Sequence, residues 1–194
     1  MIRFETGERY RVGETVFAGS QIDPERLATL APYKAGDYFS ATAVAELSRR
    51  LSQTGWFELV SAAPDLEKGT PDALPVVVSL VPRMKNVVET GLGVSSDTGV
   101  TGTVSWTRPW INRRGYSLTA ETSVSTAEQS FEASLKIPVK ENPLEQYYLV
   151  SAGYKHTDLN DTASSAFTLS LSRYWQPASG WQRVASVKAS QDHF

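Results

Sequence analysis

The sequence contains no cysteine and only two histidines, His156 and His193, among its 194 residues. Without cysteine there is no disulfide bond, no thiolate metal site and no cysteine nucleophile. Basic residues are not clustered either, and 19 lysines and arginines are balanced by 21 acidic residues. Because a nucleic-acid surface needs clustered basic side chains, we expect no nucleic-acid partner.

Long apolar runs are missing as well. The longest, such as residues 74–81, have the length of a strand, whereas a membrane-spanning helix needs about 20 apolar residues. The N-terminal residues show no basic stretch followed by an apolar one, which is the pattern of a signal peptide. The chain is therefore either cytoplasmic or a piece of a longer secreted protein, and we favour the second interpretation.

No residue pattern typical of an enzyme occurs. The glycines of residues 91–95 loosely resemble a dinucleotide-binding loop, but a third glycine is missing and no helix is predicted to follow. Both histidines lie at or near predicted strand ends, where a solvated role is more common than metal binding. We therefore expect no catalytic residue, no cofactor and no metal ion.

The first part of the chain, residues 1–85, shows a mixed α/β pattern. A strand is predicted at residues 10–17. A short helix begins at Asp23, which caps it, and continues through residues 26–30. A longer helix is predicted at residues 41–53, with Ser40 as its cap. Two strands follow at residues 56–63 and 75–82, which gives the order β-α-α-β-β. The predicted core is apolar and is formed by Val44, Leu47, Leu51, Phe57, Val77 and Leu80.

The second part, residues 86–194, has a period of two instead. Seven segments alternate apolar with polar or small residues, and turn-forming residues separate them. The predicted strands are residues 87–95, 99–107, 116–125, 130–138, 146–157, 165–174 and 181–190. Strands of this length and alternation are typical of a transmembrane β-barrel. A soluble β-sandwich or lipocalin-like barrel shares the alternation and stays open as an alternative.

Aromatic and charged residues favour the membrane interpretation. Aromatic residues cluster near one set of turns, as in the girdle at a membrane interface. The predicted interface residues are Trp106, Trp110, Tyr148, Trp175 and Trp181. The polar faces of the strands carry charged residues such as Glu121, Glu132 and Lys136, which a water-filled lumen tolerates and a dry core does not.

Several motifs make the chain similar to known proteins. The β-α-α-β-β order, the sequence Gly55-Trp56-Phe57 and the apolar third strand resemble a POTRA (polypeptide-transport-associated) domain. The stretches at residues 105–110, 142–150, 157–162, 172–175 and 179–183 resemble the TamA family. These are the outer-membrane subunits of the translocation and assembly module, in the Omp85 superfamily that also contains BamA.

The resemblance implies an α+β POTRA domain followed by an incomplete antiparallel transmembrane β-barrel of about seven strands. It implies a whole protein with a signal peptide, three POTRA domains and a sixteen-stranded barrel. On that basis the chain would hold the last POTRA domain and the first barrel strands. Phe194 would then mark a truncation and not the aromatic C-terminus of an outer-membrane protein.

The implied function is assembly of other outer-membrane proteins, including autotransporters, without enzymatic chemistry. The implied partners are a TamB-like protein anchored in the inner membrane, unfolded outer-membrane client proteins and outer-membrane lipid, with the POTRA domain in the periplasm. Alternatives are a two-partner secretion or porin-like channel of the same superfamily, or a soluble β-rich binding module.

Two strands are predicted to pair with client or partner strands. One is the second POTRA strand, with Trp56, Phe57, Glu58, Leu59, Val60 and Ser61. The other is the first barrel strand, at the barrel seam, with Val88, Glu89, Thr90, Gly91, Leu92 and Gly93. Glycines weaken a strand, which suits a seam, but the same glycines would equally relieve crowding in the lumen.

Overall fold

We describe a computed structural model, which covers residues 9–96, 99–159, 162–176 and 180–193. Parts of two predicted turns, at residues 97–98 and 177–179, lie outside the described residues, as does Phe194. The chain divides into two compact units, Met1–Arg83 and Met84–Phe194. No helix of the described ranges is long and apolar enough to cross a membrane.

The first unit has the predicted order of elements. Its elements are β1 (Val12–Ala18), α1 (Pro24–Ala28), α2 (Ala41–Gln53), β2 (Phe57–Pro64) and β3 (Leu74–Pro82). The three strands form one mixed sheet in the order β1-β3-β2, in which β1 runs parallel and β2 antiparallel to β3. Of the described strands, β2 therefore pairs on one side alone.

Helix α2 begins and ends as its sequence predicts. The side chain of Ser40 accepts a hydrogen bond from the Ala43 amide at 3.4 Å, which satisfies a donor of the first turn. The chain leaves the helix through Gly55, whose φ of 74° suits glycine. The predicted side-chain cap at α1 is wrong. The backbone carbonyl of Asp23, not its carboxylate, accepts from the amides of Arg26 and Leu27.

The exposed face of α2 carries a small ion-pair network. Glu46 accepts hydrogen bonds from Arg49, one turn along, at 2.7 and 2.6 Å and from Arg50 at 2.8 Å. These hydrogen bonds, those from Arg49 foremost, lower the pKa of the Glu46 carboxyl to about 2. Because the carboxylate is exposed to water, the network contributes little to the stability of the fold.

The core of the first unit lies between the helices and one face of the sheet. Val44, Leu47 and Leu51 of α2 are buried, as the helical period predicts. They are joined by apolar residues of α1, the three strands and the connections between them, namely Val12, Ile22, Leu27, Leu30, Trp56, Phe57, Leu74, Val76, Val78 and Leu80.

The predicted position of Val77 in this core is wrong. Leu74, Val76, Val78 and Leu80 alternate with Val77 along β3, and side chains alternate between the two faces of a strand. Val77 therefore lies on the opposite face and is only half-buried. Val77 and Leu80 are three positions apart on β3, so their side chains lie on opposite faces of the strand and cannot both face the helices.

This assignment predicts different costs for two neighbouring valines. We expect Val78→Ala to lower the free energy of unfolding by roughly 2 kcal/mol, since it removes two buried methyl groups and leaves a cavity. We expect Val77→Ala to cost under about 1 kcal/mol, because its side chain is only half-buried. Urea denaturation of residues 1–83, which we expect to fold alone, measures both. Equal costs would show that the core does not lie on the face described.

The second unit is a seven-stranded antiparallel sheet in which each strand pairs with the next along the chain. All seven predicted strands are present. They are β4 (Val87–Ser95), β5 (Gly99–Arg108), β6 (Ser117–Ser125), β7 (Glu128–Pro138), β8 (Gln146–Leu159), β9 (Thr162–Trp175) and β10 (Arg183–His193). The hairpin of β8 and β9 is longest, with 14 residues in each strand.

The pairing register sorts this sheet into two chemically distinct faces. From β6 to β10 one continuous row of paired residues is apolar, namely Leu118, Leu135, Val150, Leu171 and Val187, and on β5 the row continues to Arg108. The neighbouring row on the other face contains Thr107, Thr119, Ser134, Ser151 and Ser170. We call these the apolar face and the polar face, and the phase of each strand is the one predicted.

Candidate strand-pairing edges and the two faces of the sheet

Strand β2 exposes an open edge that begins after a bulge. Trp56 and Phe57 are buried, with 3% and 5% of their surfaces accessible. The register with β3 then shifts between Phe57 and Leu59, which leaves Glu58 as the extra residue. The bulge turns Leu59 outward, where it is 60% exposed. Of the six predicted residues, the structure therefore places only Glu58, Leu59, Val60 and Ser61 along the open edge.

The hydrogen bonds to β3 identify which amides of β2 point outward. The Asp65 amide donates to the Pro75 carbonyl at 2.8 Å. Hydrogen-bonded positions recur at every second residue of an antiparallel pair. The unbroken register therefore directs the amides of Leu59, Ser61 and Ala63 at β3. The amides of Val60 and Ala62 point away from the sheet, so an added strand would pair with them.

The sequence pattern does not reveal this arrangement. An alternation of side chains identifies faces, but the direction of each amide also depends on the register and on the bulge at Glu58. The Trp56 carbonyl is also committed, since it accepts from the Arg83 amide at 2.9 Å and from the Gln21 side chain at 2.8 Å. The bulge has no obvious sequence signal, because no glycine marks it.

Strand β4 has the second open edge. It pairs with β5 over its whole length and, among the described strands, with no other. Its apolar side chains are strongly exposed, with Leu92 at 89% and Val94 at 85%. All six predicted seam residues, from Val88 to Gly93, lie on this strand, and a depression of about 490 Å³ lies over its pairing with β5 around Gly91 and Gly102.

The two glycines of β4 differ in their surroundings. A Cβ atom on Gly91 would lie 2.6 Å from the Thr103 hydroxyl, whereas a Cβ on Gly93 would meet nothing within 4 Å. Relief of crowding therefore explains Gly91 but not Gly93. The low intrinsic strand preference of glycine is the remaining physical effect at Gly93.

The start of β4 is held by two tryptophans of the neighbouring strand end. The Trp106 indole donates to the Asn86 side chain at 3.2 Å. The ammonium group of Lys85 lies over the Trp110 ring at 5.2 Å from its centroid, within the range of a cation–π contact. Residues 85–86 are thereby attached to the end of β5 before the pairing of β4 begins.

The polar face lines a cavity of about 450 Å³. Its lining includes Glu121, Glu132, Ser170 and Lys188. Glu121 and Glu132 are directly opposite one another on β6 and β7. Like charges in direct opposition destabilise a sheet unless water or cations screen them, so this face is suited to water and not to a dry core. Lys155 lies nearby and pairs with Glu128 at 2.9 Å.

The predicted interface aromatics all lie at one end of the sheet, where β4 begins. Trp106 is on β5, Tyr148 on β8 and Trp175 at the end of β9, while Trp110 and Trp181 are in the connections. Tyr148 and Trp175 belong to the apolar face by their register. Two other tyrosines of this end, Tyr147 and Tyr174, lie on the polar face instead and stack on each other at 4.6 Å.

No group of histidine and acidic side chains in the described ranges is arranged to hold a metal ion. His156 bonds to the Ser165 hydroxyl at 2.8 Å and His193 lies 3.2 Å from the Gln191 amide group. What the described residues offer is backbone donors and acceptors at the edges of β2 and β4, one polar face and one apolar face; β1 and β10 are the other edge strands of the two sheets.

Comparison with known proteins identifies the fold. Residues 10–83 match the POTRA family model, described as a surface antigen variable number repeat. The structure is similar to the crystal structure of BamA from Haemophilus ducreyi lacking POTRA domains 1-3, with a TM-score of 0.79 at 19% identity. The similarity covers 97% of this chain and 36% of that chain, so this chain spans about a third of its length.

A weaker similarity is to CdiB from Acinetobacter baumannii, with a TM-score of 0.49 at 14% identity, covering 96% of this chain and 46% of that one. The match to BamA confirms the predicted fold class, a POTRA domain followed by seven antiparallel strands that correspond to part of a barrel.

The difference between the two glycines can be tested by matched substitutions. Gly91→Ala should destabilise the second unit, because the new methyl group forces the stiff Thr103 side chain out of its rotamer, at a cost of about 0.5–1.5 kcal/mol. Gly93→Ala should be neutral or stabilising by up to about 1 kcal/mol. Adding Thr103→Ala to Gly91→Ala should restore stability. Thermal unfolding of the whole protein measures each, and failure of this rescue would contradict the assigned contact.

Proposed function

We propose that the chain is part of an Omp85-type outer-membrane protein that assembles other β-barrel proteins by pairing with their strands. The observation that carries the proposal is the presence in one chain of a POTRA domain with an open strand edge and a barrel portion with an open first strand. The function needs no catalytic residue and no nucleotide.

The physical basis is the cost of unpaired backbone groups. In the hydrocarbon core of a membrane each unpaired N–H or C=O costs several kcal/mol, so a client strand gains by pairing with an open edge before it enters the membrane. Backbone pairing makes little demand on client sequence. The apolar row through Leu135 and Val150 suits lipid, and the polar face suits a hydrated lumen.

Within this class we propose a role like that of the TamA family, with autotransporters among the clients and a TamB-like partner in the inner membrane. Support comes from the sequence stretches at residues 105–110 and 142–150. On this proposal the POTRA domain lies in the periplasm and the seven strands lie in the outer membrane. The partner would add a strand to β2, since its outward amides offer the pairing groups.

A second candidate is a secretion channel of the same superfamily. The specific observation in its favour is the polar face, with the charged residues Glu121, Glu132 and Lys188 around one cavity. The two functions differ in their readouts: an assembly factor accelerates insertion of client barrels into liposomes, whereas a channel conducts ions or exports one secreted polypeptide. Both assays use the whole protein.

Strand pairing at β2 can be tested through its outward amides. Ala62→Pro removes an outward donor at an edge position that tolerates proline, and it should leave the domain folded while reducing photocrosslinking from Leu59 to client or partner several-fold. Ala62→Ser, which keeps the donor, should crosslink like wild type. Ser61→Pro should instead destabilise the domain, because the Ser61 amide points at β3.

The crosslinking scan also separates the two edges. If probes along residues 58–63 capture neither client nor partner while probes along residues 88–93 do, recognition belongs to β4 alone. Capture from neither edge by a protein that folds and inserts clients would contradict strand pairing altogether.

Membrane placement of the apolar face predicts a strong asymmetry between adjacent residues. Leu135→Arg should lower barrel stability by about 2–4 kcal/mol if Leu135 lies near the bilayer midplane. Ser134→Arg, on the polar face of the same strand, should cost much less. Arginine substitutions should show the same difference between the apolar and the polar residue in three further pairs: Val150 and Ser151, Leu169 and Ser170, and Val104 and Thr103. Urea unfolding in lipid vesicles measures this, and equal costs on both faces would contradict the membrane placement.

A further inference from the structure

We propose that Arg173, held between Tyr148 and Trp175 on the apolar face, binds the phosphate group of a membrane phospholipid. The proposal rests on the membrane placement of this face described above, and it assigns a lipid headgroup site to the aromatic end of the sheet.

The position of Arg173 is unusual for a cation. The register places it in the row Ile137, Tyr148, Arg173 and Ala185, on the face that carries the apolar row ending in Val187. Leu171, the next residue of β9 on this face, lies about 7 Å further along the strand. Arg173 is therefore at the border between apolar surface and the aromatic end, where lipid headgroups meet hydrocarbon.

The guanidinium of Arg173 lies within reach of two aromatic rings. Its central carbon lies 5.4 Å from the centroid of Tyr148 and 5.6 Å from that of Trp175, both within cation–π range. Such contacts favour this placement of the side chain and, unlike hydrogen bonds, do not require its N–H donors.

Those donors are not used within the described part of the chain. Arg173 forms neither an ion pair nor a side-chain hydrogen bond with any described residue, and its side chain is exposed. An arginine at the edge of a bilayer needs an anionic acceptor, and the planar fork of donors matches two oxygens of a phosphate. At this depth the phosphodiester of a phospholipid is the anion at hand.

A second arginine strengthens the same site. Arg183 lies directly opposite Trp175 on β10 and is also exposed, and it has no ion-pair partner among the described residues either. Side chains directly opposite across two strands are about 5 Å apart at Cβ. Tyr148, Arg173, Trp175 and Arg183 thus form one headgroup site with two cations and two aromatic rings.

The test measures lipid binding to the whole protein in a mild non-ionic detergent by native mass spectrometry, with phosphatidylglycerol as the probe. Arg173→Gln should weaken phosphatidylglycerol binding about tenfold, or about 1.4 kcal/mol. Arg173→Lys, which keeps the charge but not the planar fork, should give an intermediate loss. The matched control is Arg114→Gln, which removes an exposed cation from the turn at the same end of the sheet and should bind like wild type.

Two further arms identify the source of the phosphate. Diacylglycerol, which lacks the phosphate, should bind no better to wild type than to Arg173→Gln, and millimolar inorganic phosphate should not displace phosphatidylglycerol. Equal binding of diacylglycerol and phosphatidylglycerol would overturn phosphate recognition, and displacement by inorganic phosphate would overturn the assignment to lipid. Equal phospholipid affinity of wild type and Arg173→Gln would overturn the site.

Folding and membrane placement are controlled separately. Tryptophan fluorescence on heating shows whether Arg173→Gln is folded, and Arg173→Lys carries the test if it is not. A whole protein that is monodisperse in buffer without detergent would contradict the proposed function itself. If the protein requires detergent but its lipid binding does not change when Arg173 is substituted, only the headgroup site would be contradicted.

Discussion

Unpaired backbone groups at the margin of a sheet are the constraint on which both units of this chain depend. A strand with one neighbour leaves half of its amides and carbonyls without a partner, and the described chain has such strands in each unit. In the first unit the edge is short and interrupted by the bulge at Glu58, which limits spontaneous pairing in water. In the second unit β4 keeps an uninterrupted register with β5 over all nine of its residues.

On the proposed membrane placement of the second unit, the difference between the two edges would follow from their two solvents. In water an open edge costs little, because water satisfies the backbone groups, whereas hydrocarbon does not. An edge such as that of β4 is compatible with a membrane only if another strand covers it, and the glycines at positions 91 and 93 leave little side-chain packing to hold that strand. On the proposed function, weak packing and obligatory backbone pairing together would favour exchange of one strand for another.

The sequence predicted the elements well and the details of the edge poorly. Period-two alternation located all seven strands of the second unit, because every residue there belongs to one of two faces. Ser40 located the start of α2, since its side chain is one of few that satisfy a first-turn amide.

Val77 was misplaced because three consecutive valines hide the alternation of β3. The outward amides of Val60 and Ala62 could not be predicted, because they depend on long-range register with β3 and on a bulge without sequence signal. The site at Arg173 was missed because its residues come together only through pairing of β8, β9 and β10.

The attachment of residues 85–86 to Trp106 and Trp110 has a mechanical consequence. A tension applied to the polypeptide ahead of Lys85 is transmitted first to the indole rings of Trp106 on β5 and Trp110 just beyond it, through the Asn86 hydrogen bond and the Lys85 cation–π contact. The pairing of Val87 with Thr107 then bears load only after these two contacts yield. The first rungs of β4 are thereby shielded from pulling at their own end until both contacts yield.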